Sequence, residues 1–170
     1  MPEQPVIFIK PNSAVSEVLR LVGDGEVGYE AELCFLIRDK AICGLGFGLD
    51  LTKRAVQSIL KTQGLPWERA KAFDGSAVLS QFVTFNGDIT SLSFRLFINK
   101  TVVQLGSAEE MITSPNALLT EAQTFLSVED NDVLMTGTPA GVGSVDLGDV
   151  FLGQVFQDNV LLVEQQWVVV

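Results

Sequence analysis

The chain has 170 residues, 47% of them apolar, and a formal net charge of −10 from 21 acidic and 11 basic residues. That size and composition predict one domain over residues 1–170 with a sizeable core, and the acidic balance argues against nucleic-acid binding, which needs a stripe of Lys and Arg. No apolar run of about 18 residues is present, so no membrane span is expected, and the start MPEQPVIFIKP lacks the basic-then-apolar pattern of a secretory signal.

In chain order, VIFIK (6–10) predicts a short strand ended by Pro11-Asn12-Ser13. Residues 27–37 and 41–49 predict strands joined at Arg38-Asp39-Lys40 as a hairpin. Residues 51–62 carry Leu51, Ala55, Ile59 and Leu60 at helical spacing, and Gly64 ends that helix. SLSFRLFIN (91–99) and TVVQL (101–105) flank Asn99-Lys100, a second hairpin signal. Ser114-Pro115 reads as N-cap and first position of a helix over 115–125. Residues 132–136, 149–156 and 160–170 predict strands, with Asp158-Asn159 turning between the last two. Many clustered strands with two modest helices predict an α+β, β-rich fold of mixed or mostly antiparallel sheet, not a doubly wound one.

Histidine is absent. That excludes Ser-His-Asp and Cys-His triads and every His-ligated metal site. A metal must be held by oxygen donors or by Cys34 and Cys43, which read as reduced core residues of a cytoplasmic protein. A general base must be a carboxylate, a lysine or a bound water.

Four stretches could carry chemistry. In YEAELCFLI (29–37), Glu30 and Glu32 share one strand face, which turns apolar at Cys34 and Leu36. A solvated face and a ligand pair at a pocket rim are both open readings. In GLGFGLD (44–50) the glycines lack the third position of a dinucleotide fingerprint, so they read as relief of crowding in a twisted strand. Asp50 reads as a helix N-cap or as a third carboxylate beside the pair. Asp50, Arg54 and Gln57 are spaced to share a helix face. Three carboxylates would suit Mg²⁺, Mn²⁺ or Ca²⁺. Lys71 in AKAFDG reads alone as a surface lysine. TGTPAGVG (136–143) is either a plain turn or one whose backbone N–H groups hold a carboxylate.

YEAEL, GLDLTKRAVQ, GLPWERAKAFDG and DVLMTGTPAGVG, in that order, resemble the fumarylacetoacetate hydrolase superfamily, nearest its acylpyruvase and oxaloacetate decarboxylase branch. The likeness runs from PVIFIKPNSA at 5–14 to Gly148-Asp149. It implies a mixed β-sandwich-like roll, a homodimer, and Mg²⁺ or Mn²⁺ in the site. The implied substrates are small 2-oxo or 1,3-dicarbonyl acids cleaved at a C–C bond. By position it implies Glu30, Glu32 and Asp50 as metal ligands and Arg54, Gln57, Gly137 and Thr138 as substrate contacts. Lys71 would be the catalytic lysine of a K-x-F-D motif.

Three departures shape the expected chemistry. Family members carry R-N-Y-x-x-H-x-x-E ahead of K-P-x-S, forming a lid whose His-Glu pair activates water. This sequence is expected to lack it, since K-P-N-S stands at 10–13. Tyr29 stands where a histidine commonly precedes E-x-E, and Asp130-Asn131-Asp132 replaces P-G-D. Decarboxylation or enol–keto isomerisation is therefore expected over hydrolysis, with Lys71 as proton shuttle if burial lowers its pKa. Lys71 and Arg54 would supply positive charge for a dianionic substrate. Two alternatives stand beside this: a non-catalytic metal-binding subunit that partners a complete homologue, and motifs that serve the fold alone.

Overall fold

The computed structural model describes residues 5–22 and 26–170. Its strands and helices follow in order: β1 Val15–Ser16, β2 Val27–Tyr29, β3 Ala31–Arg38, β4 Ala41–Asp50, β5 Thr52–Lys53, α1 Arg54–Gln63, α2 Glu68–Lys71, β6 Ala77–Leu79 and β7 Val83–Thr84. The second half holds β8 Leu92–Ile98, β9 Thr101–Ser107, α3 Pro115–Gln123, β10 Val133–Met135, β11 Gly143–Ser144, β12 Val150–Gln157 and β13 Val160–Val168. One sheet runs β1-β6-β4-β3-β10, with β7 also on β4; a small sheet runs β11-β2-β5; a third runs β13-β12-β8-β9. All pairings are antiparallel except β1 with β6. This is the β-rich, mixed-sheet architecture expected from the strand pattern.

Three hairpins turn on paired residues in the left-handed region: Asp39 and Lys40 (φ 50° and 61°), Asn99 and Lys100 (50° and 71°), Asp158 and Asn159 (48° and 69°). Such pairs match the twist of the strands they join. Ser114 caps α3 by accepting from Ala117 N–H, with Pro115 at the first helical position. Gly64 closes α1 at φ 65°.

Other elements differ from expectation. Residues 6–10 take no regular structure. The strand expected over 27–37 breaks at Glu30 into β2 and β3. Asp50 is the last residue of β4 rather than a helix cap, because Thr52 and Lys53 first pair with β2. Helix α1 begins at Arg54, with Lys53 at its N-cap and no side-chain cap bond. A third α-helix, α2, carries Lys71.

The first and third sheets pack through aromatic side chains. Phe47 of β4 is fully buried, 5.6 Å from the Phe94 ring and 6.2 Å from Trp167. Tyr29 meets Phe151 edge-on at 5.3 Å. Each such burial is worth about 2–3 kcal/mol, so this core is the rigid base on which β3 and β4 present their far ends. Among the described residues no helix is long and apolar enough to cross a membrane.

Candidate metal centre

The β3–β4 ladder sets opposite one another the residues that matter. Ala31 faces Leu49 and Glu32 faces Gly48, and the Asp50 N–H donates to Glu30 O at 2.8 Å. Period-two alternation then puts Glu30, Glu32 and Asp50 on one face. Gly48 is required beneath them: a Cβ there would lie 2.5 Å from Cys34 Sγ. The sequence question is thus resolved, since the face turns apolar at Cys34 because it continues into the interior.

One oxygen from each of Glu30, Glu32 and Asp50 lies within 4.8 Å of the others. Glu32 and Asp50 are 3% and 2% exposed, so their charges cannot lean on water. Burial, with Asp50 and Glu30 adding to it, pushes the Glu32 carboxyl up to about 8, against the pull of the Gly137 N–H and Lys71.

Two lysines answer this charge. Lys71 Nζ donates to Glu30 Oε2 at 2.8 Å, Asp50 Oδ2 at 2.6 Å and Thr52 Oγ1 at 2.6 Å. It is 2% exposed, not the surface lysine that its position alone suggests. Lys10 Nζ lies 2.7 Å from Asp50 Oδ1. It also donates to Lys71 O and to the Ser76 carbonyl (3.1 Å) and hydroxyl (3.0 Å). That ammonium is the partner of Asp50 Oδ1 among the described residues. Burial lowers the Lys10 pKa, while Asp50 pulls it back up. Sequence reasoning quoted Lys10 within K-P-N-S but gave it no role; only the 40-residue return of the chain from Lys10 to Asp50 reveals it.

The TGTPAGVG turn does hold a carboxylate, and it is the protein's own. Gly137 N–H donates to Glu32 Oε2 at 2.8 Å, with Gly137 at φ 87°. Thr136 and Thr138 donate to the Leu33 and Ala31 carbonyls at 2.9 and 2.8 Å, fastening the turn to β3. Arg54 stands elsewhere: its Nη2 donates to Tyr29 O (3.4 Å) and Gly143 O (3.2 Å), and neither it nor Gln57 lines the pocket. Helix α1 starts four residues after Asp50, so the two side chains project from a different face. Tyr29, at the position expected for histidine, donates through its hydroxyl to Gly141 O at 3.2 Å.

The three carboxylates and Lys10 open into a pocket of about 530 Å³. Residues 6–10 form one wall, and β10 and the side chains Leu119 and Ala122 of α3 line others. Lys71 lies behind the carboxylates rather than on the lining. The donor set is all oxygen, two of its three members are buried, and three carboxylates share two lysine ammonium groups. These features fit a hard divalent cation such as Mg²⁺ or Mn²⁺.

Known proteins resemble this chain along most of its length. An oxaloacetate tautomerase of Escherichia coli K12 is 40% identical over 167 aligned positions, covering 88% of this chain and 76% of that protein. A mitochondrial oxaloacetate tautomerase of Bos taurus is 33% identical over 165, covering 87% and 75%. The crystal structure of fumarylpyruvate hydrolase from Pseudomonas aeruginosa, in complex with Mn²⁺ and pyruvate, superposes with a TM-score of 0.89 at 28% identity. It covers 99% of this chain and 79% of that one. The sequence pattern of the fumarylacetoacetate hydrolase C-terminal family matches residues 1–164. The chain belongs to the fumarylacetoacetate hydrolase family, a family of enzymes.

Proposed function

We propose that the protein binds Mg²⁺ or Mn²⁺ through Glu30, Glu32 and Asp50 and acts on small 2-oxo acids, with enol–keto tautomerisation or decarboxylation of an oxaloacetate-like substrate as its reaction. The observation that carries this reading is the cluster itself: three carboxylates within 4.8 Å, two of them buried, at the head of a pocket, with two lysine ammonium groups paired to them. The names of the Escherichia coli and Bos taurus relatives support the substrate class. The Mn²⁺ and pyruvate of the Pseudomonas aeruginosa structure support the ion and the 2-oxo acid.

The divalent ion, when bound, supplies Lewis acidity toward the 2-oxo and carboxylate oxygens of a chelating substrate. The chain's own residues do the rest. Lys71 spends its three N–H bonds on Glu30, Asp50 and Thr52, so it fixes the carboxylates and carries the counter-charge they need. Lys10 lines the pocket, and burial draws its pKa toward the range useful for proton transfer. Lys10 is therefore the proton carrier in this reading, and Lys71, expected from the motif as the shuttle, instead positions Glu30 and Asp50 from behind. Gly137 N–H orients Glu32 and favours its ionised form against the burial that raises it. Residues 6–9, all apolar, line the pocket beside Lys10. Tautomerisation and decarboxylation need only an electron sink and a proton carrier. Hydrolysis needs a further base for water; among the described residues the titratable groups on the lining are Lys10, the three ligand carboxylates and Asp132.

The test uses protein loaded with Mn²⁺ or Mg²⁺. The ultraviolet absorbance of enol oxaloacetate is followed, and pyruvate is assayed separately. Acceleration over metal-only and Asp50→Asn controls is expected; equal rates would overturn the proposal.

A further inference from the structure

Ala31 sits between Glu30 and Glu32, and its backbone poses a problem. Because the Asp50 N–H donates to Glu30 O, Ala31 and Leu49 form a non-hydrogen-bonded pair of the ladder. The N–H and C=O of Ala31 therefore point away from β4. Strand β10 meets β3 only from Cys34 onward, so no strand takes them up. Ala31 is fully buried, and groups of this kind demand a partner.

The partner comes from the third sheet. Gln104 of β9 is 2% exposed, and its Oε1 accepts from Ala31 N–H at 3.1 Å. Its Nε2 donates to Thr138 Oγ1 at 2.9 Å and to Pro139 O at 3.1 Å, with Ala140 O further off at 3.4 Å. Thr138 Oγ1 in turn donates to Ala31 O at 2.8 Å. The bonds close a ring through Ala31, Gln104 and Thr138. The amide orientation is fixed by its partners, since a flipped group would set NH₂ against an N–H and an oxygen against carbonyls.

We infer that Gln104 is a positioning residue of the metal centre. By holding the Ala31 N–H directly and its C=O through Thr138, it fixes the peptide planes from which Glu30 and Glu32 project. By holding Thr138 and Pro139 it fixes the turn whose Gly137 N–H binds Glu32. One neutral amide in a separate sheet thus sets the mutual bearing of two ligands and the donor that steadies one of them. Partners of this kind outside the ligand set typically account for about 10–100-fold in metal affinity.

This inference rests on the reading of the cluster as a metal centre, and the experiment separates the two. Mn²⁺ binding is measured by calorimetry on wild type, Gln104→Leu and Val155→Ala. The last is a buried β12 change that lowers stability without touching the ring. Gln104→Leu is expected to lose about tenfold or more in affinity, and Val155→Ala, at a comparable loss of melting temperature, to stay near wild type. Thr138→Val opens the same ring with a smaller cut and keeps the test alive if Gln104→Leu does not fold; it too is expected to weaken binding. Wild type that binds no Mn²⁺ overturns the metal reading and this inference with it. Wild type that binds, with ring variants no weaker than Val155→Ala, overturns this inference alone.

Discussion

Lys71 Nζ lies 2.6 Å from Asp50 Oδ2, and the two side chains are 2% and 3% exposed. A pair so placed owes little to water, and removing one partner strands the other. Lys71→Met is expected to destabilise the metal-free protein by about 3–5 kcal/mol and to abolish turnover. Denaturant unfolding with and without Mn²⁺ checks this. The ion should restore part of the loss, because it binds only the folded cluster.

Glu32 gives the metal-free protein a distinctive pH dependence. Its carboxyl ordinarily titrates near 4.5 and is raised to about 8 in the fold. Between those values the folded chain keeps a proton that the unfolded chain has released, so stability falls as pH rises through that window. Glu32→Gln should flatten this part of the profile. Metal binding needs the carboxylate, so affinity should climb toward pH 8 and each binding event below it should release protons. Calorimetry in two buffers of different ionisation enthalpy measures that release.

Lys10 ties residues 6–10 to the carbonyls of Lys71 and Ser76 as well as to Asp50. Lys10→Met should cost about 1.5–3 kcal/mol through its charged hydrogen bonds and loosen the pocket wall. Amide exchange would show faster exchange within residues 6–10 than in β12. Unchanged protection there would refute the anchoring role.

Gly137 stands at φ 87° with open space around its Cα. Gly137→Ala meets no clash but a backbone penalty of about 1–2 kcal/mol. Any relaxation draws the N–H away from Glu32. Lower stability together with weaker Mn²⁺ binding is expected, measured by thermal melting and calorimetry on the same sample.

The sequence read well where the signal was local. Asp39-Lys40, Asn99-Lys100 and Asp158-Asn159 announce their hairpins because each opens on an Asp or Asn, which tolerates the left-handed region. Ser114-Pro115 announces α3 for an equally local reason. VIFIK misled because its continuous apolar run serves a pocket wall and a lysine anchor, not a ladder. Asp50 looked like a helix cap because nothing nearby in sequence shows that Thr52 and Lys53 must first pair with β2. The three carboxylates and Lys71 were legible through motif resemblance. Lys10 and Gln104 were not, since both reach the site from elements far away in the chain, and spacing carries no trace of such returns.

Glu30 belongs to neither β2 nor β3, and those strands lie in different sheets. Its carboxylate therefore sits on a mechanical joint, while Glu32 and Asp50 ride on one rigid plate. The cluster thus draws its three carboxylates from one sheet and its junction with another, and its geometry depends on how those sheets are joined as much as on either one.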